Sequence, residues 1–285
     1  MHINWNYTYK CNFNCKHCYS RTRKDIEELS THDKLCIAEN IVRNKVFNVN
    51  LGGGEPLLCE DCTTIIKYLS DRHINVNLST NGWKIERTQI IELQKAGLSG
   101  VSISLDHIKP EIHDEVRNVK GSWLEAIDSI KKIRREGIKV YLSTVITSLN
   151  FPYLEDILCL AESLDVYGVD LKRLKRAGNA VQKSYLEITD IQRDELYYNI
   201  PIWKNKYKIN INLVYSPNRI ENIDAGCPCG KTSIAILCNG DIAPCVYNTS
   251  VIGNALRDDI HDVWCYSKEL NYLRENFSCL GLMKK

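Results

Sequence analysis

Cys11, Cys15 and Cys18 stand in the pattern C-x3-C-x2-C within the stretch Tyr9-Lys10-Cys11-Asn12-Phe13-Asn14-Cys15-Lys16-His17-Cys18-Tyr19. This spacing can bring three thiolates to one side of a tight loop. Three thiolates can hold three corners of a [4Fe–4S] cluster and leave its fourth iron open. An electron-transfer cluster normally takes four cysteines, so a missing fourth ligand implies that something else binds that iron. Two other readings stay open at this level. Structural zinc takes four Cys or His ligands, and His17 could be one, although Cys15 and Cys18 on either side constrain it. The thiols could also be plain buried side chains.

The rest of the composition narrows the setting. The chain has 285 residues, 44% of them hydrophobic and 25% charged, as an ordinary globular protein has. A net charge of +2 gives no electrostatic reason to expect nucleic acid or a membrane surface as partner. No apolar run reaches the roughly 18 residues of a membrane span, and the N-terminus lacks a basic segment followed by an apolar core. Thirteen cysteines without such a signal point to a reducing cytoplasm and to metal or redox use rather than disulfides.

Short apolar strands alternate with amphipathic helices over the first two thirds of the chain. Strands are expected at 3–9, 46–51, 74–78, 101–105, 140–146 and 169–174. Helices are expected at 33–43 behind a Ser30-Thr31 cap, at 63–69, 88–96 and 153–164, and where Trp123, Ala126, Ile127, Ile130 and Ile133 recur at helical spacing. Six β-then-α units make a parallel sheet with right-handed crossovers the natural solution, two units short of a closed eight-stranded barrel. Ligands of such sheets sit at the C-terminal ends of the strands, where every motif below falls.

Leu51-Gly52-Gly53-Gly54-Glu55-Pro56 follows the second strand. Glycines there permit close backbone approach to a ligand, and a carboxylate can pair with an ammonium; the bland alternative is a glycine turn with a surface Glu. Ser79-Thr80-Asn81-Gly82 follows the third strand, Ser104 and Asp106 end the fourth, and His113-Asp114-Glu115-Val116-Arg117 comes next. Together with the cysteine loop, these motifs resemble the radical S-adenosylmethionine superfamily.

The resemblance implies an α/β fold, a partial (β/α)6 TIM-like barrel. It implies a [4Fe–4S] cluster on Cys11, Cys15 and Cys18 whose open iron takes the amino and carboxylate groups of S-adenosylmethionine. Reductive cleavage then gives a 5′-deoxyadenosyl radical that abstracts hydrogen. The G-G-E-P element (Gly53, Gly54, Glu55, Pro56) would bind the cofactor's amino group, with His17, Ser79, Asn81, Ser104 and Asp106 as further contacts and Arg117 on the carboxylate. A guanidinium fork suits that last task; the alternative for Arg117 is a surface helix arginine. Asn150 and Gly178 fit weaker family patterns and read as packing and turn residues, and Cys59-x2-Cys62 as two ordinary thiols opening a helix. Cys36 and Cys159 read as core.

The pattern changes after about Asn179. A helix over 190–206, interrupted at Pro201, leads to a strand at 209–214 and then to Cys227, Cys229, Cys238 and Cys245. Asn239-Gly240 between apolar runs signals a hairpin that carries Cys245 back toward Cys227 and Cys229. This resembles the cysteine-rich SPASM or twitch extension of the same superfamily, a small C-terminal β-hairpin/helix domain that holds auxiliary clusters. The later cysteine run of a full extension is represented by Cys279 alone, so one auxiliary [4Fe–4S] cluster is expected, on Cys227, Cys229, Cys245 and Cys279 with Cys238 in reserve. Bare thiols or zinc are the alternatives. The domains then read as 1–180 barrel, 181–222 connection and 223–285 auxiliary domain.

A radical enzyme of this kind is expected to mature a ribosomally made peptide by crosslink, thioether or oxidation. The alternative is oxidation or rearrangement of a small molecule in cofactor or natural-product biosynthesis; a metal-binding or electron-transfer protein is the non-catalytic reading. The first strand lies at the very start of the chain and leaves no room for an N-terminal peptide-recognition domain, which weakens the peptide reading; a separate protein can carry the leader peptide. A flavodoxin or ferredoxin is the expected reductant.

Overall fold

Apolar and small polar residues alternate along each of the first six strands, and the apolar phase is buried under helices. The computed structural model describes residues 1–20, 26–214, 228–248 and 250–276. β1 (His2–Thr8), β2 (Asn48–Gly53), β3 (Asn75–Thr80), β4 (Gly100–Ser104), β5 (Lys139–Ile146) and β6 (Gly168–Arg173) lie side by side in chain order, all parallel. Between them run α1 (Thr31–Arg43), α2 (Cys62–Ser70), α3 (Arg87–Lys95), α4 (Pro110–Arg117), α5 (Ser122–Arg135) and α6 (Leu154–Ser163). α7 (Asp190–Lys206) follows β6 and leads to β7 (Asn210–Val214). Ile3, Trp5, Val49, Leu51, Val76, Leu78, Val101, Ile103, Val140, Leu142, Val169 and Leu171 are buried among the helices' apolar faces. The opposite phase is amide and hydroxyl: Asn4, Asn50, Ser79, Ser102 and Ser143 face the barrel lumen. Asn77 donates to Asn48 Oδ1 at 2.8 Å and Ser79 to Asn50 Oδ1 at 3.2 Å, so neighbouring strands are tied on the lumen side as well. The product is a partial TIM-like barrel with a polar interior.

β7 adds to the sheet beside β6, again parallel, with Gly168 opposite Asn210. The strand assigned from sequence to a connecting segment therefore extends the barrel wall. On the other side β8 (Ser233–Ile236) pairs parallel with β1, and the turn at Asn239-Gly240 returns the chain as β9 (Asp241–Ala243), antiparallel to β8. β10 (Gly253–Asn254) completes a sheet of ten strands, and α8 (Ile260–Tyr266) and α9 (Lys268–Asn276) follow. The cysteine hairpin thus shares its sheet with the barrel.

Three expectations are corrected. α7 runs through Pro201 without a break. Proline removes one backbone donor, and the exposure of Pro201 puts that loss on the solvent side of the helix. Cys36 and Cys159 are exposed rather than core. On α1 the buried stripe is Lys34, Ile37, Ala38 and Ile41; on α6 it is Leu154, Ile157, Leu158 and Ala161. Each cysteine falls one position off that stripe. Lys34 takes the inward place because its ammonium sits 2.9 Å from Asp61 Oδ2 and over the Tyr7 ring. No helix among the described residues is long and apolar enough to cross a membrane.

Candidate active site

The C-terminal ends of β1 to β6 open on one cavity, and the loop after β1 brings all three cysteines of the C-x3-C-x2-C pattern to its wall. Partners from across the barrel hold that loop. Thr8 Oγ1 and the Tyr9 amide donate to Glu28 Oε1 at 2.7 and 2.8 Å. The Lys16 amide donates to the Val116 carbonyl at 2.8 Å. Asn179 donates its backbone amide to the Cys18 carbonyl at 2.8 Å and its side-chain amide to the Cys15 carbonyl at 2.9 Å. Phe13 meets Trp83 edge-on, 5.6 Å between ring centres, and Tyr19 packs at 4.8 Å on Tyr247 from the C-terminal hairpin region.

The glycine loop approaches from β2. Gly54 donates to the Thr8 carbonyl at 2.7 Å and Glu55 N to the Lys10 carbonyl at 2.8 Å. A Cβ at Gly54 would run into that Lys10 carbonyl, so the close approach of the two loops requires glycine. Gly52, Gly53 and Gly54 line the cavity beside the cysteine loop, and Ser79, Thr80, Asn81, Ser104, His17 and Arg117 line it as well.

Three residues expected to touch cofactor stand behind the wall instead. Glu55 is 3% exposed, and its carboxylate accepts from Thr80 Oγ1 (2.8 Å), Asn81 N (2.7 Å) and Leu57 N (3.2 Å). Burial pushes its pKa up to about 7 even though those bonds favour the anion. Pro56, beside it, is buried in a single 3-10 turn. Asp106 is likewise 3% exposed; its Oδ2 lies 2.8 Å from Arg117 Nε and 3.7 Å from His17 Nε2, and its Oδ1 accepts from Val145 N at 3.0 Å. Burial would raise the Asp106 carboxyl, but Arg117, then His17 and His113, outweigh it and hold the group below its usual range. Burial, with Arg117 adding to it, pushes His17 down to about 4 against the pull of Asp106, so its ring is neutral at pH 7. Arg117 Nη1 also reaches Cys15 Sγ at 3.9 Å, setting a fixed positive charge beside that thiol.

The donor set fits an iron–sulfur cluster with one open position. Three thiols of one loop face the cavity, and among the described residues no fourth thiol and no carboxylate lies on its wall. Burial raises the Cys11 thiol to about 11 and raises Cys15 as well, so iron must displace the protons. Cys59 is half-buried and Cys62 buried at the start of α2, and neither lines the cavity. Asn150 is buried and donates to the Asp106 and Val145 carbonyls, a packing role.

The sequence model of the radical SAM superfamily matches residues 5–161, more than half of the chain. The chain belongs to the radical SAM superfamily. A second model, an iron–sulfur cluster-binding domain of the SPASM type, matches residues 227–283. This radical SAM chain is 29% identical to the mycofactocin maturase MftC of Mycolicibacterium smegmatis, covering 96% of the chain and 72% of that protein. It is 26% identical to an AdoMet-dependent heme synthase of Oleidesulfovibrio alaskensis, covering 95% and 76%. The fold is that of Streptococcus suis SuiB, solved bound to its precursor peptide SuiA: TM-score 0.76, 19% identity, 96% of this chain and 66% of that one.

S-adenosylmethionine and [4Fe–4S] clusters are therefore its cofactors. Within the SPASM-type region Cys238 and Cys245 are buried and Cys229 half-buried, and Cys245 Sγ accepts from the Asn248 amide at 3.1 Å. Cys227 and Cys279 lie outside the described residues.

Residues that the sequence reading passed over are also part of the site. Glu28 and Asn179 hold the cysteine loop, and neither carries a sequence signal. Lys172, Arg173 and Lys175 line the cavity from β6 and the turn after it. For Lys172 a signal existed: it falls in the same polar phase as the lumen-facing Asn and Ser residues.

Proposed function

We propose that this enzyme matures a peptide by abstracting hydrogen from one of its C–H bonds. The observation that carries this reading is the cavity whose wall brings together Cys11, Cys15 and Cys18 and, from the adjoining strand end, Gly52, Gly53 and Gly54. The similarity to a mycofactocin maturase along nearly the whole chain supports a peptide as substrate.

Cys11, Cys15 and Cys18 would hold the radical-generating cluster, and Gly53, Gly54, Ser79, Asn81 and Ser104 would border S-adenosylmethionine. When bound, these groups supply a carbon radical that takes hydrogen from the substrate. Arg117 would present its guanidinium to the methionine carboxylate, with Asp106 fixing its orientation from behind. Glu55 pins the Thr80-Asn81 turn, so the amide and hydroxyl on the cofactor side are set before anything binds. Phe13, Tyr19 and Tyr247 line the cavity, Phe13 backed by Trp83, and these rings would help keep water from a reactive radical. Residues 1–180 would form the catalytic barrel, 181–222 a connection whose β7 extends the barrel wall, and 223–285 an auxiliary domain with one further cluster on Cys227, Cys229, Cys245 and Cys279. The reaction would take place in the cytoplasm, with a flavodoxin or ferredoxin as reductant and a separate protein presenting the peptide.

Iron and sulfide content after anaerobic reconstitution tests this reading. About eight irons per chain are expected in the wild type, falling to about four when Cys11, Cys15 and Cys18 are all replaced by Ala. The reduced wild type should also cleave S-adenosylmethionine. Zinc uptake without iron would refute the proposal.

A further inference from the structure

The charge on the cavity wall is one-sided. Arg117, Lys172, Arg173 and Lys175 line the cavity, and no Asp or Glu does, among the described residues. Arg117 is answered by Asp106 from behind. Lys172, Arg173 and Lys175 make no side-chain hydrogen bond and no ion pair with any described residue. Lys172 sits at the neck where this cavity meets a second one lower in the barrel; the two share Asn4, Asn50, Ser79, Ser102 and Lys172 itself. The lower chamber is lined mostly by neutral amides and hydroxyls. Its one acid, Asp170, two residues before Lys172, already accepts a hydrogen bond from Asn212 Nδ2 at 3.0 Å.

An ammonium inside a protein without a partner is costly. Burial pushes the pKa of Lys172 down; Asp170 opposes that shift, and Arg117 adds to it against Asp106. The cofactors offset only part of the excess cations. Three thiolates around an iron–sulfur core leave a small negative charge, and S-adenosylmethionine held on iron through a neutral amine, with its sulfonium against its carboxylate, adds none. That charge answers about one of Lys172, Arg173 and Lys175 and leaves the others without an anion. An ammonium among mostly neutral amides and hydroxyls, with Asp170 as the one carboxylate there among the described residues, suits a monoanion. A phosphate dianion would call for a bidentate arginine or a helix N-terminus at the neck.

We propose that Lys172, with Arg173 and Lys175 at the mouth, binds a carboxylate of the peptide substrate inside the barrel. The carboxylate belongs either to the peptide's C-terminus or to an Asp or Glu side chain. It anchors the segment so that the C–H bond to be cleaved stays in the cavity above the neck. This inference rests on the peptide-maturing reading.

Three short probes test it on the reconstituted, S-adenosylmethionine-loaded holoenzyme: N-acetyl-trialanine with a free carboxylate, the amidated peptide with a central aspartate, and amidated N-acetyl-trialanine. Binding is read by saturation-transfer NMR under anaerobic conditions. At least one carboxylate peptide should bind about tenfold or more tighter than the neutral one, and whichever does identifies the source. The preference should collapse to about twofold in Lys172→Gln, persist in Lys172→Arg, and be untouched in Lys204→Gln on the exposed face of α7. In the wild type alone it should weaken as salt is raised. Equal binding of the neutral peptide overturns the inference, as does a preference that survives in Lys172→Gln. A Lys172→Gln variant that loses affinity for S-adenosylmethionine and not for peptide would assign the ammonium to the cofactor and also overturn it. Iron content and cofactor cleavage in the wild type report separately on the peptide-maturing reading, so the two can fail independently.

Discussion

Arg117 Nε lies 2.8 Å from Asp106 Oδ2, with both side chains less than a tenth exposed, and this pair joins the end of β4 to the cysteine loop. The same guanidinium reaches Cys15 Sγ, and the same carboxylate faces His17. Taking one member from a buried pair leaves the other charge uncompensated, which costs about 3–5 kcal/mol. Arg117→Met should therefore lower the thermal midpoint by about 10 °C. Adding Asp106→Asn should restore most of that loss, because a neutral pair leaves no buried charge. Affinity for S-adenosylmethionine should stay at least about tenfold down in both variants. If the double variant regained cofactor affinity, Arg117 would be a structural group only.

Gly178 and Asn179 hold the cysteine loop from the turn after β6. Gly178 has φ +57, and a Cβ there would run into the Cys18 and Tyr19 carbonyls. Gly178→Ala should push the loop away and break the Asn179 contacts to Cys15 and Cys18. The expected result is a protein that folds, with barrel circular dichroism intact, but surrenders one cluster's iron to a chelator at least about tenfold faster than the wild type. Equal release rates would show that the loop holds its shape without this clamp.

Contiguous motifs made the centre of this site legible from sequence. Cys11, Cys15 and Cys18 act within one loop, and Gly52, Gly53 and Gly54 within one strand end, so local spacing carries their role. The six-unit parallel sheet was legible because apolar periodicity repeats in every unit. Side-chain direction was harder to read. Glu55 and Asp106 have the chemistry of cofactor ligands, yet both turn inward to hold Asn81 and Arg117, a choice set by partners distant in sequence. Cys36 was misread because the buried face of α1 includes Lys34, and a lysine can be inward only once Asp61 is there to pair with it. β7 was assigned to a connection because one short strand carries no signal of which edge it joins; its pairing with β6 is a property of the sheet.

The SPASM-type region makes its own prediction. Cys245 is buried where the chain leaves β9, and Cys59, just before α2, and Cys62, at its start, do not line the cavity. Cys245→Ala should remove about four irons and leave the cluster of the cysteine loop in place. Cys59→Ala should remove none. A Cys245→Ala protein with full iron would mean that the hairpin cysteines bind no cluster.

His113 gives the fold a pH dependence that can be isolated. Its Nδ1 accepts from the Asp106 amide at 3.1 Å, so the ring must be unprotonated there to do so. Burial, with Arg117 adding to it against Asp106 and Asp114, pushes its pKa from 6.5 down to about 4. The unfolded chain then binds a proton at this position between about pH 6.5 and 4, and the folded chain does not. Folding loses stability as pH falls through that window, by about 3 kcal/mol for the whole shift, and the loss is absent above it. Asn in place of His113 can offer a carbonyl oxygen to the Asp106 amide and has no proton to gain. In His113→Asn the urea midpoint should fall less steeply than in the wild type between pH 6.5 and 4, with the two proteins most alike near pH 7. Parallel curves across that window would mean that His113 takes up its proton as readily in the folded protein as in the unfolded one.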